Sequence, residues 1–362
     1  MNNLAEDLAA APAEAQAVIA SANLIYVSND DPGIRRRRCG KGFTYSTPNG
    51  EAIDKLTRIR IDKLAIPPAW RDVWICTLDN GHLQATGIDG KGRKQYIYHE
   101  RWQALRQQHN FEELREFGLA LPAIREGIER DLRRRGLCRE RVLALAVDII
   151  QHTLIRVGNP RSALENRTFG LTTLRNKHLE IQGSHIRFHF RGKSNKEHDL
   201  DIYDLRAARL MRLCQQLPGQ RLFQYVDEEG RRQPIDSRDV NEYLKDLTGS
   251  RFTAKDFRTW GGTVAALEFL LIVEEPARDE RQCKRHTTAA IRHAAKSLGN
   301  TISVCRQHYV HPAVCEAYAQ GLLSEQLEAA LPEVPGLERL QEVERKLLGL
   351  LHHLHQQKVQ QA

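Results

Sequence analysis

Five side chains spread between residues 156 and 309 have the types needed to make and break a phosphate ester. The segment ISVCRQHYVHP (302–312) sets Tyr309 among Arg306, His308 and His311. A phenol ionises near pH ~10, so it attacks poorly at neutral pH unless cations stabilise its phenolate. LIRVGNP offers Arg156, and KDFRTW offers Lys255 and Arg258 one helical turn apart. Two forked guanidiniums can share the charge that builds on the equatorial oxygens of a phosphodiester under attack. GKSNKEH supplies Lys193, which a hairpin tip would leave free to protonate a departing alkoxide. SLGNTISVCRQHY sets Asn300 nine residues before the tyrosine. Each motif also has an ordinary reading. Arg156 in the last turn of a helix complements its dipole, Leu-Gly-Asn is a helix C-cap, and Tyr309 is a half-buried aromatic at a helix start. Only the set of five points to one chemistry. No carboxylate cluster, phosphate-binding loop or HxxxH pair stands at these positions, so neither a metal nor a nucleotide is called for.

The elements that must position these residues fall into two textures. From 24 to 98 the chain reads as β: LIYVS (24–28), GFTYS (42–46), VWICT (73–77), LQATGI (83–88) and KQYIYH (94–99), separated by TPNG, IPPAW, LDNG and DGKG. From about 100 onwards, segments 100–117, 122–135, 139–156, 204–216, 238–248, 254–273, 276–298 and 337–357 carry apolar residues at helical spacing. In 139–156, Val142, Leu145, Ala146, Ile149 and Ile150 make one face. A β island interrupts the helices, with HLEIQ (178–182), HIRFHF (185–190) and EHDLDI (197–202) expected as a three-stranded antiparallel sheet. The expected class is α+β: a small antiparallel β domain, 1–99, and a larger, mostly helical domain, 100–362, ending in helix 337–357.

Composition narrows the setting. The 362 residues suit two domains, and 41% hydrophobic content supports a proper core. Lys plus Arg exceed Asp plus Glu by 54 to 46, giving a net charge of +8 that suits a polyanionic partner. The seven cysteines are scattered, odd in number and free of CxxC spacing, which fits a reducing compartment and no zinc site. Asp148 and Glu268 interrupt the two longest apolar runs, so no membrane span is expected. The N-terminal MNNLAEDLAAAPAEAQ lacks the basic start of a secretory signal and reads as an Ala-rich helix or arm. Arg35–Arg38 (RRRR) reads either as a phosphate contact or as a solvated basic edge strand. His352, His353 and His355 fall at the end of an amphipathic helix, where a solvated face explains them better than a metal.

The order Arg–Lys–KxxR–Asn–Tyr, with LTTLRNKHLEI (171–181) between the first two, resembles the type IB DNA topoisomerases of the bacterial and poxvirus type. GIDGKGRKQYIYHERW (87–102) and IPPAW (66–70) resemble the small β domain of the same family. The likeness runs from about residue 24 to 325. It implies catalysis by Arg156, Lys193, Arg258 and Tyr309, with Asn300 at a position that holds histidine in the poxvirus and eukaryotic enzymes. It implies a C-shaped clamp on duplex DNA, with Lys94, Gln95, Tyr96 and Tyr98 of the β domain and Lys255 and Arg306 of the helical domain touching the nucleic acid. The implied reaction relaxes positive and negative supercoils through a 3′-phosphotyrosyl link, strand rotation and religation. It requires neither ATP nor a divalent metal. A monomer acting on supercoiled double-stranded DNA in the cytoplasm, at the nucleoid, is the corresponding expectation. Tyrosine recombinases share the catalytic layout but carry HxxR where this chain has Lys255-Asp256-Phe257-Arg258, and a helical N-terminal domain. A catalytically inert DNA clamp is the other alternative, which the filled catalytic positions oppose.

Overall fold

The computed structural model describes residue 19 and residues 22–273, 277–323, 331 and 334–361. The Ala-rich segment at the N-terminus lies outside the described residues. The chain divides into two compact units, residues 1–110 and 111–362.

The first unit is built on a five-stranded antiparallel sheet. Its strands are β1 (Ile34–Cys39), β2 (Gly42–Ser46), β3 (Arg71–Ile75), β4 (Leu83–Ile88) and β5 (Lys94–Tyr98), in the order β2-β1-β3-β4-β5. Alternation gives the sheet two apolar faces. Ile34, Val73, Ile75 and Ala85 pack on one with Ile61 and Ile97, and Val27, Trp74, Cys76 and Leu83 pack on the other with Tyr96 and Tyr98. LIYVS does not form a strand. It makes one parallel bridge, Ile25 to Gly81, and the N–H of Val27 is taken by His82 Nδ1 at 3.2 Å instead of by a neighbouring strand. The RRRR run lies in β1, which stands between β2 and β3 in the sheet order but pairs with β3 only at Ile34 and Arg35, so Arg36–Arg38 pair with β2 alone. Arg36 turns back to donate to Trp70 O at 2.7 Å and lies 4.2 Å from the Phe43 ring centre. Helix α1 (Lys55–Lys63) had no periodic signal because only Ile61 of its residues is buried. Its start is fixed locally by Asp54, which accepts from Thr57 N at 2.8 Å.

Helix α2 (Glu100–Leu132) begins at the change of texture, and its Trp102 is buried with Ile19 and Leu24 of the first unit. The two segments expected at 100–117 and 122–135 are one helix that continues through Pro122. A proline costs a helix one hydrogen bond, but Phe117, Leu121, Ile124, Ile128 and Leu132 are buried on both sides of it. The gain from that continuous face outweighs the lost bond.

Helix α3 (Arg139–Thr153) is the centre of the second unit. Beyond the expected face, Leu143, Ala144 and Val147 are also buried. A helix apolar on all sides must be surrounded. Around it stand α6 (Ser237–Thr248), α7 (Ala254–Leu271) and the short strand β9 (Gln224–Val226), which pairs with β10 (Arg232–Pro234). The β island is present as β6 (Leu179–Gln182), β7 (His185–Arg191) and β8 (Glu197–Tyr203), antiparallel in that order. Also present are α4 (Pro160–Glu165), α5 (Leu205–Gln216), α8 (Glu280–Leu298), α9 (Ile302–His308), α10 (Pro312–Ala319) and α11 (Glu342–Gln361). The last helix starts later than the expected residue 337, because Leu337–Arg339 form a separate 3₁₀ turn.

One buried carboxylate ties α11 to the core. Glu344 accepts from both terminal nitrogens of Arg125 at 2.8 Å, from Trp260 Nε1 at 3.1 Å and from Gln341 N at 2.8 Å. Burial alone would raise its pKa, but these donors hold it below the ordinary value. A carboxyl lowered in the fold contributes stability that is complete above its unfolded pKa and is lost as the pH falls. Glu344→Ala strands the Arg125 cation, so it should cost about 3 kcal/mol in urea unfolding at neutral pH. The gap from wild type should narrow below pH 4.5, and a gap independent of pH would contradict this account.

Candidate active site

Arg156 does not sit in the last turn of α3, as the sequence suggested. The helix stops at Thr153, Leu154 turns left-handed at φ 53°, and its N–H returns to Ile150 O at 2.8 Å. Arg156 follows in an irregular segment held by the LTTLRNK stretch. Leu171 N donates to Arg156 O at 2.9 Å and Thr172 N to Val157 O at 2.8 Å. The Arg156 guanidinium then donates from Nη2 to Asn300 Oδ1.

Arg258 stands in the second turn of α7, whose start is fixed by a capping box between Thr253 and Asp256. It is only 4% exposed. Nη1 donates to Leu154 O, Nη2 donates to Leu298 O at 3.0 Å, and the guanidinium carbon lies 5.2 Å from the Tyr309 ring centre. Burial and the neighbouring Arg156 charge lower its pKa to about 10. Asn300 follows Gly299, the left-handed residue (φ 63°) that ends α8, and its N–H caps Ala295 O at 2.9 Å. The C-cap geometry expected for this segment is present, and it leaves the Asn300 side chain free to meet Arg156.

Tyr309 lies at the end of α9 and not at a helix start, with its N–H on Cys305 O at 3.0 Å. Thr263 Oγ1, whose proton is shared between Thr259 O at 2.8 Å and the Tyr309 carbonyl at 3.2 Å, accepts from His311 N at 3.1 Å and so sits against the backbone on both sides of the ring. Burial would raise the phenol pKa, but Arg258, Arg156 and Lys255 together bring it below its ordinary value. Two buried donors, Arg258 Nε and Asn300 Nδ2, have no hydrogen-bond partner among the described residues. Neither guanidinium meets a carboxylate there. The centre is thus cationic, donor-rich and short of an acceptor, which suits an oxyanion.

The other expected residues fall in several places. Lys193 is exposed at the β7–β8 hairpin tip, where Ser194 and Asn195 are left-handed and Gly192 N closes the turn on Lys196 O at 2.8 Å. Lys255 is close enough to act on the Tyr309 phenol. Arg306 is turned away from it, donating to Thr288 Oγ1 on α8 at 3.2 Å. On β5, Lys94 donates to Asn29 Oδ1 at 2.9 Å and Gln95 to Asp89 Oδ2 at 3.0 Å. Tyr96 and Tyr98 stack with ring centres 6.1 Å apart. Their half-buried rings pack the sheet, and β5 alternates as expected, with Ile97 on the opposite face. Thr263 and His198 escaped the sequence reading. The GGT run after KDFRTW marks close packing at Thr263, whereas His198 reads only as one position of an alternating strand.

Residues 99–330 match the family described as eukaryotic DNA topoisomerase I, catalytic core. Residues 42–89 match the bacterial DNA topoisomerase IB N-terminal domain. The chain therefore belongs to the type IB DNA topoisomerases, an isomerase family. It is 32% identical to DNA topoisomerase 1B of Acanthamoeba polyphaga mimivirus over 79% of this chain and 87% of that protein. It is 27% identical to DNA topoisomerase I of Monkeypox virus and to DNA topoisomerase 1B of Vaccinia virus (strain Copenhagen), in each case over 64% of this chain and 70% of the relative. The antiparallel first unit also departs from the helical N-terminal domain that the recombinase alternative requires.

Asn300→Asp exchanges an N–H donor, unpaired among the described residues, for a carboxylate oxygen and a full negative charge beside Arg156. Plasmid relaxation should fall by at least ~10², the scale of losing one transition-state donor. Retained activity would show that the amide does not face the reacting phosphate.

Proposed function

We propose that the chain relaxes positively and negatively supercoiled duplex DNA by transient cleavage of one strand, with Tyr309 as nucleophile. The observation that carries this reading is the meeting of Arg156, Arg258, Asn300 and Tyr309 in one cationic centre with two unpartnered donors. Tyr309 Oη bonds to the phosphorus as the P–O5′ bond breaks, leaving a 3′-phosphotyrosyl link and a 5′-hydroxyl. Arg156 and Arg258 share the charge on the non-bridging oxygens, and Asn300 Nδ2 donates to one of them. Lys193 gives its proton to O5′. The phenol proton leaves to solvent, from which Lys193 is recharged, so the sum moves one proton from Tyr309 to O5′. The broken strand rotates about the intact one, and the 5′-hydroxyl then attacks the link and expels the tyrosine.

The ester conserves the energy of the broken bond, so the reaction needs no ATP. In this reading Arg156 and Arg258 supply the charge, and Lys193 the proton, that a metal-dependent reaction would draw from a metal and its water, so no divalent ion is required. In this reading the protein acts as a monomer in the cytoplasm, at the nucleoid, and both units of the chain touch the duplex. Lys94, Gln95, Tyr96 and Tyr98 of β5, with Lys255 and Arg306, are the proposed contacts. Lys255 has the additional task of lowering the phenol pKa.

The direct test is relaxation of supercoiled plasmid in EDTA without ATP, followed by denaturing gels for a protein–DNA adduct. Wild type should relax both signs of supercoil and leave an adduct. Tyr309→Phe should bind duplex but give neither product, and relaxation by the phenylalanine variant would sink the assignment.

Lys193→Ala should be rescued by a better leaving group. On a substrate with sulfur at the 5′-bridging position, the departing atom needs no acid. The ratio of wild-type to variant single-turnover rates should collapse from at least ~10² toward one on that substrate. An undiminished ratio would make Lys193 an electrostatic contact.

A further inference from the structure

The side chain of His198, on β8, is wedged between the two loops that carry Lys193 and Asn300. A Cβ built on Gly192, the residue before Lys193, would stand 2.6 Å from His198 Cδ2 and 2.7 Å from its Nε2. A Cβ built on Gly299, the residue before Asn300, would stand 2.7 Å from His198 Cε1. Real side chains do not approach so closely, so opposite edges of one imidazole rest directly against two glycine backbones. The ring is also held flat. It stacks on Phe190, its partner in the β7–β8 ladder, with centres 5.1 Å apart and planes 9° apart. Burial and the charges of Arg156, Arg258 and Lys196 lower its pKa, so it is an uncharged spacer amid cations.

We propose that His198 is a positioning residue. It fixes the height of the Lys193 turn above the Asn300 loop and so aims the ammonium at the leaving oxygen. The base of the hairpin is clamped by the Arg191–Glu197 ion pair at 3.0 Å, but the tip itself is exposed. Residues 193–197 are all exposed, and Gly192 N to Lys196 O is the hydrogen bond that closes the turn. The ring touches the backbone on either side and leaves the guanidiniums to their own partners, Leu154, Leu298 and Asn300. This inference rests on the proposed role of Lys193 as acid.

The test compares single-turnover cleavage of an ordinary duplex with that of the 5′-bridging sulfur duplex. His198→Ala should slow cleavage of the ordinary substrate roughly 10- to 100-fold, the cost of an ångström-scale misplacement. On the sulfur substrate the defect should shrink to within roughly threefold, because no acid is needed there. A purely structural lesion would slow both substrates alike, and that result would overturn the proposal. A steric cycle covers the case in which this variant is poorly folded. Gly192 has φ −98° and ψ −165°, which alanine can adopt, so Gly192→Ala acts only through collision with the ring. Gly192→Ala alone should impair cleavage of the ordinary duplex, and the Gly192→Ala/His198→Ala pair should be faster than Gly192→Ala. Additive defects, or a harmless Gly192→Ala, would refute the wedge. If wild type formed no adduct on either substrate, the assigned reaction would fail first. If wild type cleaves both, only the role of His198 is at stake.

Discussion

A guanidinium buried without a carboxylate organises the second unit. Arg258 is almost fully enclosed, and an unpaired buried charge is among the most destabilising features a fold can hold. Its compensation comes from two backbone carbonyls, Leu154 O just past the end of α3 and Leu298 O at the end of α8. Each helix C-terminus carries roughly half a negative charge, so the two together offset about one cation. The carbonyls do not neutralise it chemically, and the guanidinium keeps its Nε unpaired. Two helix ends, from segments 144 residues apart (154 and 298), must therefore converge on one side chain.

That convergence brings the rest of the centre with it. The residue two beyond Leu154 is Arg156, and the residue two beyond Leu298 is Asn300, so the helix ends that hold Arg258 also deliver the Arg156–Asn300 pair. Placing a second cation beside the first is unfavourable, and after burial the Arg156 charge is what lowers the affinity of Arg258 for its proton. In the proposed reaction a phosphate would relieve this repulsion, and the charges already stand in the arrangement it would use, so little reorganisation remains. The same cations act on Tyr309, where burial and positive charge oppose each other and charge wins.

The sequence revealed types and order better than positions. Tyr309, Arg258 and Asn300 stood out because their text and spacing match a family, and the β island because its alternation is strict over three short strands. Helix ends were less legible. The left-handed turn at Leu154 involves no glycine, so the apolar pattern ran on to 156 and assigned to Arg156 the dipole interaction that Arg258 makes. Pro122 suggested a break that the burial of Phe117, Leu121 and Ile124 overrides. The RRRR run suggested an edge because its residues are cationic; it pairs with the neighbouring hairpin strand throughout, and the distant β3 reaches only Arg35 of the run. His198 had no local signal, since what distinguishes it is the convergence of Gly192 and Gly299 upon its ring.

The Arg156–Asn300 hydrogen bond also limits which residues can serve at position 300. Asn300 Oδ1 accepts from Arg156 Nη2, leaving Nδ2 as an N–H donor toward an oxyanion. A histidine in the same place would have to accept from Arg156 through one ring nitrogen and donate through the other. An imidazole can do both only when neutral, because both nitrogens of the charged ring are donors. Amide and neutral imidazole therefore present the same acceptor-then-donor pattern to the same two partners. On this geometry neither would bring charge or a mobile proton to a phosphate. In the proposed reaction, charge then rests with Arg156 and Arg258, and proton delivery with the Lys193 hairpin.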